Sequence, residues 1–289
     1  MSRRAIRHHI VPQVLQRQFS IEGDTQRIWR TKRDKVSDSY RPLELKLIRK
    51  AFVINDHYTV LENDQRSDLI EKNFYGPLDD YLGRLLPQII QTLEGGEVPS
   101  FSSEALNSLR QMVMHMAMRT PDFTNKYSDV ELGRQLVEDF LEHDLVKNDN
   151  LYYRKFRAEL NNTARLKERG RDIRVTATLN ISTRTNEVLS KFVPRWAISQ
   201  TRHSYILASR IVYRIGNGGS NGLMNPSMEM WMPITPKIAL VLLRDPKRRI
   251  PHIVRDNPNH IRQINEYAVK YSFEVASHSR ELLKSLTKQ

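Results

Sequence analysis

The chain has no cysteine. That excludes disulfide bonds, thiolate zinc sites and a cysteine nucleophile. It also lacks any apolar run near the ~20 residues that a membrane-spanning helix needs. The longest, KIALVLL (237–243), has the length of a buried strand. No apolar stretch follows the basic N-terminus, so a secretory signal is not expected. No internal repeat and no low-complexity tract is visible. These absences together read as a cytoplasmic protein without a membrane partner. What is present, 289 residues with 39% apolar and 27% charged side chains, is ordinary folded-protein composition and enough chain to bury a core.

The net charge of +13 is unevenly distributed. Residues 1–50 carry 13 basic and 5 acidic side chains, whereas residues 51–150 carry 8 and 18. The balance reverses again to 14 and 4 over 151–214, and to 11 and 6 over 215–289. An acidic middle thus lies between basic flanks. Concentrated basic surface favours a polyanionic partner, nucleic acid above all. The competing explanations are neutralisation of the acidic middle on folding, or an acidic lipid or protein surface.

Hydrophobic periodicity predicts strands at QRIWRTKRD (26–34) and AFVINDHYTV (51–60), the latter turning at Asn55-Asp56. From Ser67 the spacing of Leu69, Ile70, Phe74, Leu78, Leu82 and Leu85 becomes helical, with Pro77 and Pro87 as breaks or kinks. A helix from Ser103, with Ser103 as its N-cap, carries Leu106, Leu109, Met112, Val113 and Met116 as an apolar stripe and ends at Thr120-Pro121. An acidic helix follows over 129–146, then a basic one over 151–174 that frays near Gly170. RVTATLNIST (174–183), RHSYILASRIVYRI (202–215) and MEMWMPITPKIALVLL (228–243) read as strands, and 259–286 as one closing helix. The fold class is α+β: a central helical bundle with a small sheet from N- and C-terminal strands. No domain boundary is visible, so the chain reads as one domain with regions 1–62, 63–170 and 171–289.

Several clusters could carry chemistry. His8 and His9 are adjacent and point to opposite faces of a strand, so one turns inward. His9 is either a hydrogen-bonded structural histidine or a general base. An HNH-type nuclease is a weaker alternative, because the downstream Asn and His that it needs are missing at short spacing. Arg119 falls at the edge of an apolar stripe, where its guanidinium needs a carboxylate, with Glu71 a plausible partner, or a bound phosphate. LYYRKFR (151–157) interleaves rings with Arg154, Lys155 and Arg157 as single-strand-binding surfaces do, and Arg165, Lys167, Arg169, Arg171 and Arg174 extend the patch. Rings packed inward with charges outward would look the same. DPKRRIPH (245–252) reads as a solvated turn, and GNGGSNG (216–222) as a connector lacking the lysine of a phosphate loop. The methionines around Trp231 suit a core or an adaptable interface.

The order of several motifs resembles a bacterial family of unknown activity, domain of unknown function four thousand two hundred and thirty-eight. Its His-x-x-Pro-x-x-x-Leu-x-x-Phe opening is matched by His9, Pro12 and Phe19, with Leu15 or Val14 standing one or two residues before the Leu position. Its Ile-Trp strand is similar to Ile28-Trp29, its Arg-Thr-Pro helix end to Arg119-Thr120-Pro121, and its later segments to WMPITPKIALVL and INEYAVKYSFEVAS. Where the family pattern has Ser-Asp-x-Pro, this chain has Ser209-Arg210-Ile211-Val212. If that aspartate is catalytic or a metal ligand in relatives, Arg210 stands in its place here.

The sequence therefore leads to a nucleic-acid-acting protein, as a phosphodiester-cleaving toxin or defence effector or as a non-catalytic interaction module. In the enzyme reading His9 is the base, Glu71 an orienting carboxylate or metal ligand, and Arg119 the phosphate clamp. Whether a divalent metal takes part is left open.

Overall fold

A computed structural model of the protein describes residues 6–34, 36–62, 65–121, 128–216 and 222–288. The fold is α+β. In chain order the strands are β1 (Arg7–His9), β2 (Arg27–Lys32), β3 (Glu44–Leu47), β4 (Val53–Asn55), β5 (Val60–Glu62), β6 (Gln65–Ser67), β7 (Val193–Ser199), β8 (Leu207–Ala208), β9 (Tyr213–Ile215), β10 (Glu229–Pro233), β11 (Ile238–Leu243), β12 (Ile253–Asp256) and β13 (Glu274–Ser277). The helices are α1 (Gln13–Gln18), α2 (Gly76–Glu94), α3 (Ser103–Met118), α4 (Asp129–Glu142), α5 (Asp144–Lys147), α6 (Asn150–Glu159), α7 (Thr163–Ala177), α8 (Thr183–Leu189), α9 (Pro258–Tyr271) and α10 (Arg280–Thr287), with a π-helical turn at Glu71–Tyr75.

Two compact units are assembled from interleaved stretches. The first takes residues 1–8, 54–77 and 124–180; the second takes 9–53, 78–123 and 181–289. In the first, α4 and α7 pack without side chains between their backbones. A Cβ on Gly133 would lie 1.9 Å from the Leu166 carbonyl oxygen, and one on Gly170 would lie 1.6 Å from that of Asp129. Only glycine permits that approach. Asp172 on α7 accepts from the Leu61 N–H of the β5–β6 hairpin, and Tyr75 bonds Thr178 at 2.8 Å.

The second unit holds two larger sheets. In one, β3-β2-β13-β8, N- and C-terminal strands pair antiparallel, as the sequence predicts for its small sheet. Glu274, fully buried there, forms an ion pair with Lys32 at 3.1 Å through one oxygen, and its other oxygen accepts from Arg30 at 2.6 Å and from the Phe52 N–H at 3.0 Å. That last bond, with Ile10 N–H on the Phe52 carbonyl, holds Phe52 at φ +51°. In the other sheet, β12-β7-β11-β10-β9, all pairs are antiparallel except β12 with β7. All six residues of β11 are buried.

Several expected elements differ. Ser102, not Ser103, caps α3, accepting from the Ala105 N–H. Pro87 lies inside α2, which continues past it. The basic helix is two, because Asn162 caps a new start, and Gly170 is a packing point within α7. RVTATLNIST is not a strand: its first four residues end α7, where Leu166, Arg171 and Val175 form a buried stripe at helical spacing, and Thr183 opens α8. The closing helix is interrupted by β13, whose four residues are all buried between β2 and β8. Burial on both faces removes the alternation that marks a strand. Of the Gly-rich connector, residues 217–221 lie outside the described residues, as do Arg3 and Arg4.

Gly133→Ala or Gly170→Ala should lower stability by about 3 kcal/mol, the upper part of the usual range for overpacking. Gly83→Ala, whose Cβ would meet only Val14 at 3.8 Å, should raise it by up to ~1 kcal/mol. Urea unfolding of the three variants measures both.

Candidate active site

Arg119 follows α3 and is 1% exposed. It donates to both carboxylate oxygens of Asp79 on α2 and, at 2.8 Å, to the backbone carbonyl of His9. His9 therefore meets Arg119 through its main chain. Asp79 is a partner that the sequence did not single out. Glu71 opens the π-helical turn of the first unit and is half-buried. The proposed triad is thus divided between the two units, with His9 and Arg119 in one and Glu71 in the other. His8, 1% exposed, accepts the Tyr58 N–H on Nδ1 at 3.0 Å and packs against the Tyr58 ring.

The basic segment sorts by burial. Arg154, Lys155, Arg157 and Lys167 are exposed. Arg165 and Arg169 both pair with Glu159, Arg174 pairs with Asp129, and Arg171 is buried. Three of the eight patch cations, Arg165, Arg169 and Arg174, therefore tie their own unit together, and of these pairs Arg174 with Asp129 is the neutralisation of the acidic middle. At the family departure, the Ser209 hydroxyl accepts from the Phe273 and Glu274 N–H groups, and Arg210 lies over the Tyr271 ring.

A site that the sequence reading did not single out lies on one face of the five-stranded sheet. Because side chains alternate along a strand, Arg195 and Ala197 (β7), Val241 and Leu243 (β11), Glu229 and Trp231 (β10), and Val254 and Asp256 (β12) share that face. With His260 and Gln263 of α9 they line a cavity of about 460 Å³, within the range of small-ligand pockets.

Local sequence builds its centre. In Asp256-Asn257-Pro258-Asn259-His260, Asn257 caps α9 by accepting the His260 N–H at 2.9 Å, and Pro258 starts the helix. The cap brings His260 back over Asp256, and Nδ1 donates to Oδ1 at 2.6 Å. The other oxygen of this 7%-exposed carboxylate accepts from the Tyr205 hydroxyl at 2.5 Å. Tyr205 is held in turn: its N–H reaches the Pro236 carbonyl, and Asn265 of α9 brackets it through Ile206 N–H and Ser204 carbonyl. Opposite, Trp231 Nε1 donates to Glu229 at 2.7 Å and its ring meets His260 edge-on at 4.9 Å.

The hydrogen bond to Asp256 raises the His260 pKa above its ordinary value; burial opposes this, and the charges of Asp256 and Glu229 add to it. Burial, then the bond to Asp256, pushes the Tyr205 phenol far up, so it stays a neutral donor. Asp256 thus fixes one imidazole nitrogen and leaves Nε2 to exchange a proton with a ligand. Among the described residues no group of three or more His, Asp or Glu is placed to hold a metal ion.

Fold and site define an α+β chain with a carboxylate-anchored histidine at the edge of a sheet-lined cavity. A family model described as Protein of unknown function (DUF4238) matches residues 7–281, nearly the whole length, and the chain belongs to that family. No curated protein and no solved structure matches it.

Two predictions follow from these contacts. Asp79→Ala takes a carboxylate from a buried guanidinium and should cost about 3 kcal/mol in urea unfolding. His260 should titrate above 6.5 by NMR, and Asp256→Asn should bring its midpoint down. Since the folded pKa is raised, the contribution to stability is complete below pH 6.5 and is lost as pH rises through the higher folded value.

Proposed function

We propose that this chain is a nucleic-acid-acting enzyme that cleaves phosphodiesters, with His260 as its acid–base group. The observation that carries the reading is the Tyr205–Asp256–His260 series ending at a cavity that also holds Glu229. A buried carboxylate that orients a half-exposed histidine is the arrangement that proton transfer requires. In cleavage, the Glu229 carboxylate takes the proton of the attacking hydroxyl as its oxygen bonds to phosphorus. The bond from phosphorus to the leaving oxygen breaks, and imidazolium His260 gives that oxygen its proton. The net charge of +13 and the exposed Arg248 and Arg249, on the turn that reaches the cavity at Ile250, support a polyanionic substrate. The acid–base role proposed from sequence for His9 passes in this reading to His260. Arg119, engaged with Asp79, becomes a scaffold for the His9 backbone.

The non-catalytic reading keeps one specific support, the exposed cations Arg154, Lys155, Arg157 and Lys167 on the first unit. One experiment separates the two. Labelled RNA and DNA oligonucleotides are incubated with the full chain, its His260→Ala variant and its Glu229→Gln variant, each checked for folding by circular dichroism. The enzyme reading expects cleavage of at least one substrate, reduced ~10²–10⁴-fold by His260→Ala. Binding without cleavage by the wild type, or cleavage equal in His260→Ala, overturns it.

A further inference from the structure

A second concavity of about 780 Å³ adjoins the first and shares Arg195 and Ile250 with it. Val98, Phe101 and Leu106 give it an apolar wall, and Arg248 and Arg249 a cationic one. We propose that this groove is the subsite for the single strand flanking the scissile phosphodiester, with Arg248 and Arg249 gripping backbone phosphates and Phe101 supporting a base. The inference rests on the proposed function for the direction of the strand, but its evidence lies in the groove.

The turn carrying the two arginines is held rigid from beneath. Asp245 accepts the Arg249 N–H at 2.9 Å and the Ile250 N–H at 3.0 Å. Its carboxylate also pairs with Arg195 at 2.8 Å, each side chain 5% exposed. Arg195 closes the ring by donating to the Ile250 carbonyl at 2.9 Å. The only acidic residue of DPKRRIPH is therefore neutralised internally, and Lys247, Arg248 and Arg249 remain exposed. Among the described residues, no carboxylate side chain pairs with Arg248 or Arg249.

Arg248 stands in the left-handed region, at φ +49°. An arginine there is strained, and the surrounding bonds hold it. The turn is thus fixed before any ligand arrives, so little ordering remains for binding to impose. Phe101, half-buried, is braced by a stacked contact with Trp196 at 6.5 Å and an interplanar angle of 28°. Exposed cations facing a braced ring are the two elements that single-strand grooves combine. Duplex DNA or an acidic protein surface would use the cations without the ring.

The test is fluorescence anisotropy with a labelled single-stranded oligonucleotide, as RNA and as DNA, across a salt series. Arg248→Ala/Arg249→Ala should weaken binding at least tenfold and flatten the slope of log K against log salt by about 1.4, the loss of two single-strand contacts. Phe101→Ala should weaken binding and leave the slope unchanged. Lys284→Ala/Lys288→Ala, which removes two exposed cations elsewhere, controls for net charge and should keep the wild-type slope. A double variant at 248 and 249 with wild-type affinity and slope overturns the subsite, as does tighter binding of duplex than of single strand, or no binding of either. Cleavage lost in His260→Ala beside an unchanged slope in the arginine variant removes the subsite and keeps the enzyme. A flattened slope beside undiminished cleavage in His260→Ala does the reverse.

Discussion

The buried pair of Arg195 and Asp245 is the constraint on which the site depends. Arg195 stands on the cavity face of β7, and its guanidinium reaches Asp245, the Ile250 carbonyl and the Pro194 carbonyl. Two charges 5% exposed are tolerated because Arg195 donates three hydrogen bonds and Asp245 accepts three, from each other and from backbone. The backbone N–H of Ile250, followed by those of Arg249 and the Arg195 charge, holds the Asp245 carboxyl below its ordinary pKa. This one ion pair therefore shapes the floor of one cavity and the rim of the next. Breaking it would loosen both together.

The same logic recurs at several of the charges that this chain buries. Glu274 is enclosed in the small sheet yet meets Arg30, Lys32 and the Phe52 N–H. Arg110, 9% exposed, donates to the Phe192 carbonyl at 2.7 Å. Arg165 and Arg169 converge on Glu159. A strongly basic composition thus divides into cations that organise the interior and cations left on the surface, and only the latter can answer to a polyanion.

Legibility in the sequence followed the physics of each segment. The α+β class, the Ile28-Trp29 strand and the Met-rich stripe of α3 were readable because one-sided burial imprints a period. β13 was not, because its pairing with β2 lies more than 240 residues away and both its faces are covered. The residues chosen as catalytic were those with conspicuous neighbours, His9 beside Pro12 and Arg119 at a helix end. His260 lacked such a flag: Asp256 precedes it by four residues, but Tyr205 comes from a loop 51 positions before Asp256. One local signal was available, an Asn-Pro helix start with a carboxylate before it and a histidine in the first turn. The loop DPKRRIPH read as solvated, and it is exposed from Pro246 to His252, with Asp245 turned inward. What composition could not show was the Arg195 anchor that makes its cations a fixed surface.

The measurement that tests the central claim most directly is acylation of histidines by diethyl pyrocarbonate, mapped by mass spectrometry with and without a saturating single-stranded oligonucleotide. If the cavity is where nucleic acid reacts, the oligonucleotide should protect His260, 37% exposed in its side chain, while the enclosed His8 stays unmodified in both samples. Unchanged acylation of His260 under saturating oligonucleotide would place the ligand elsewhere and contradict the assignment.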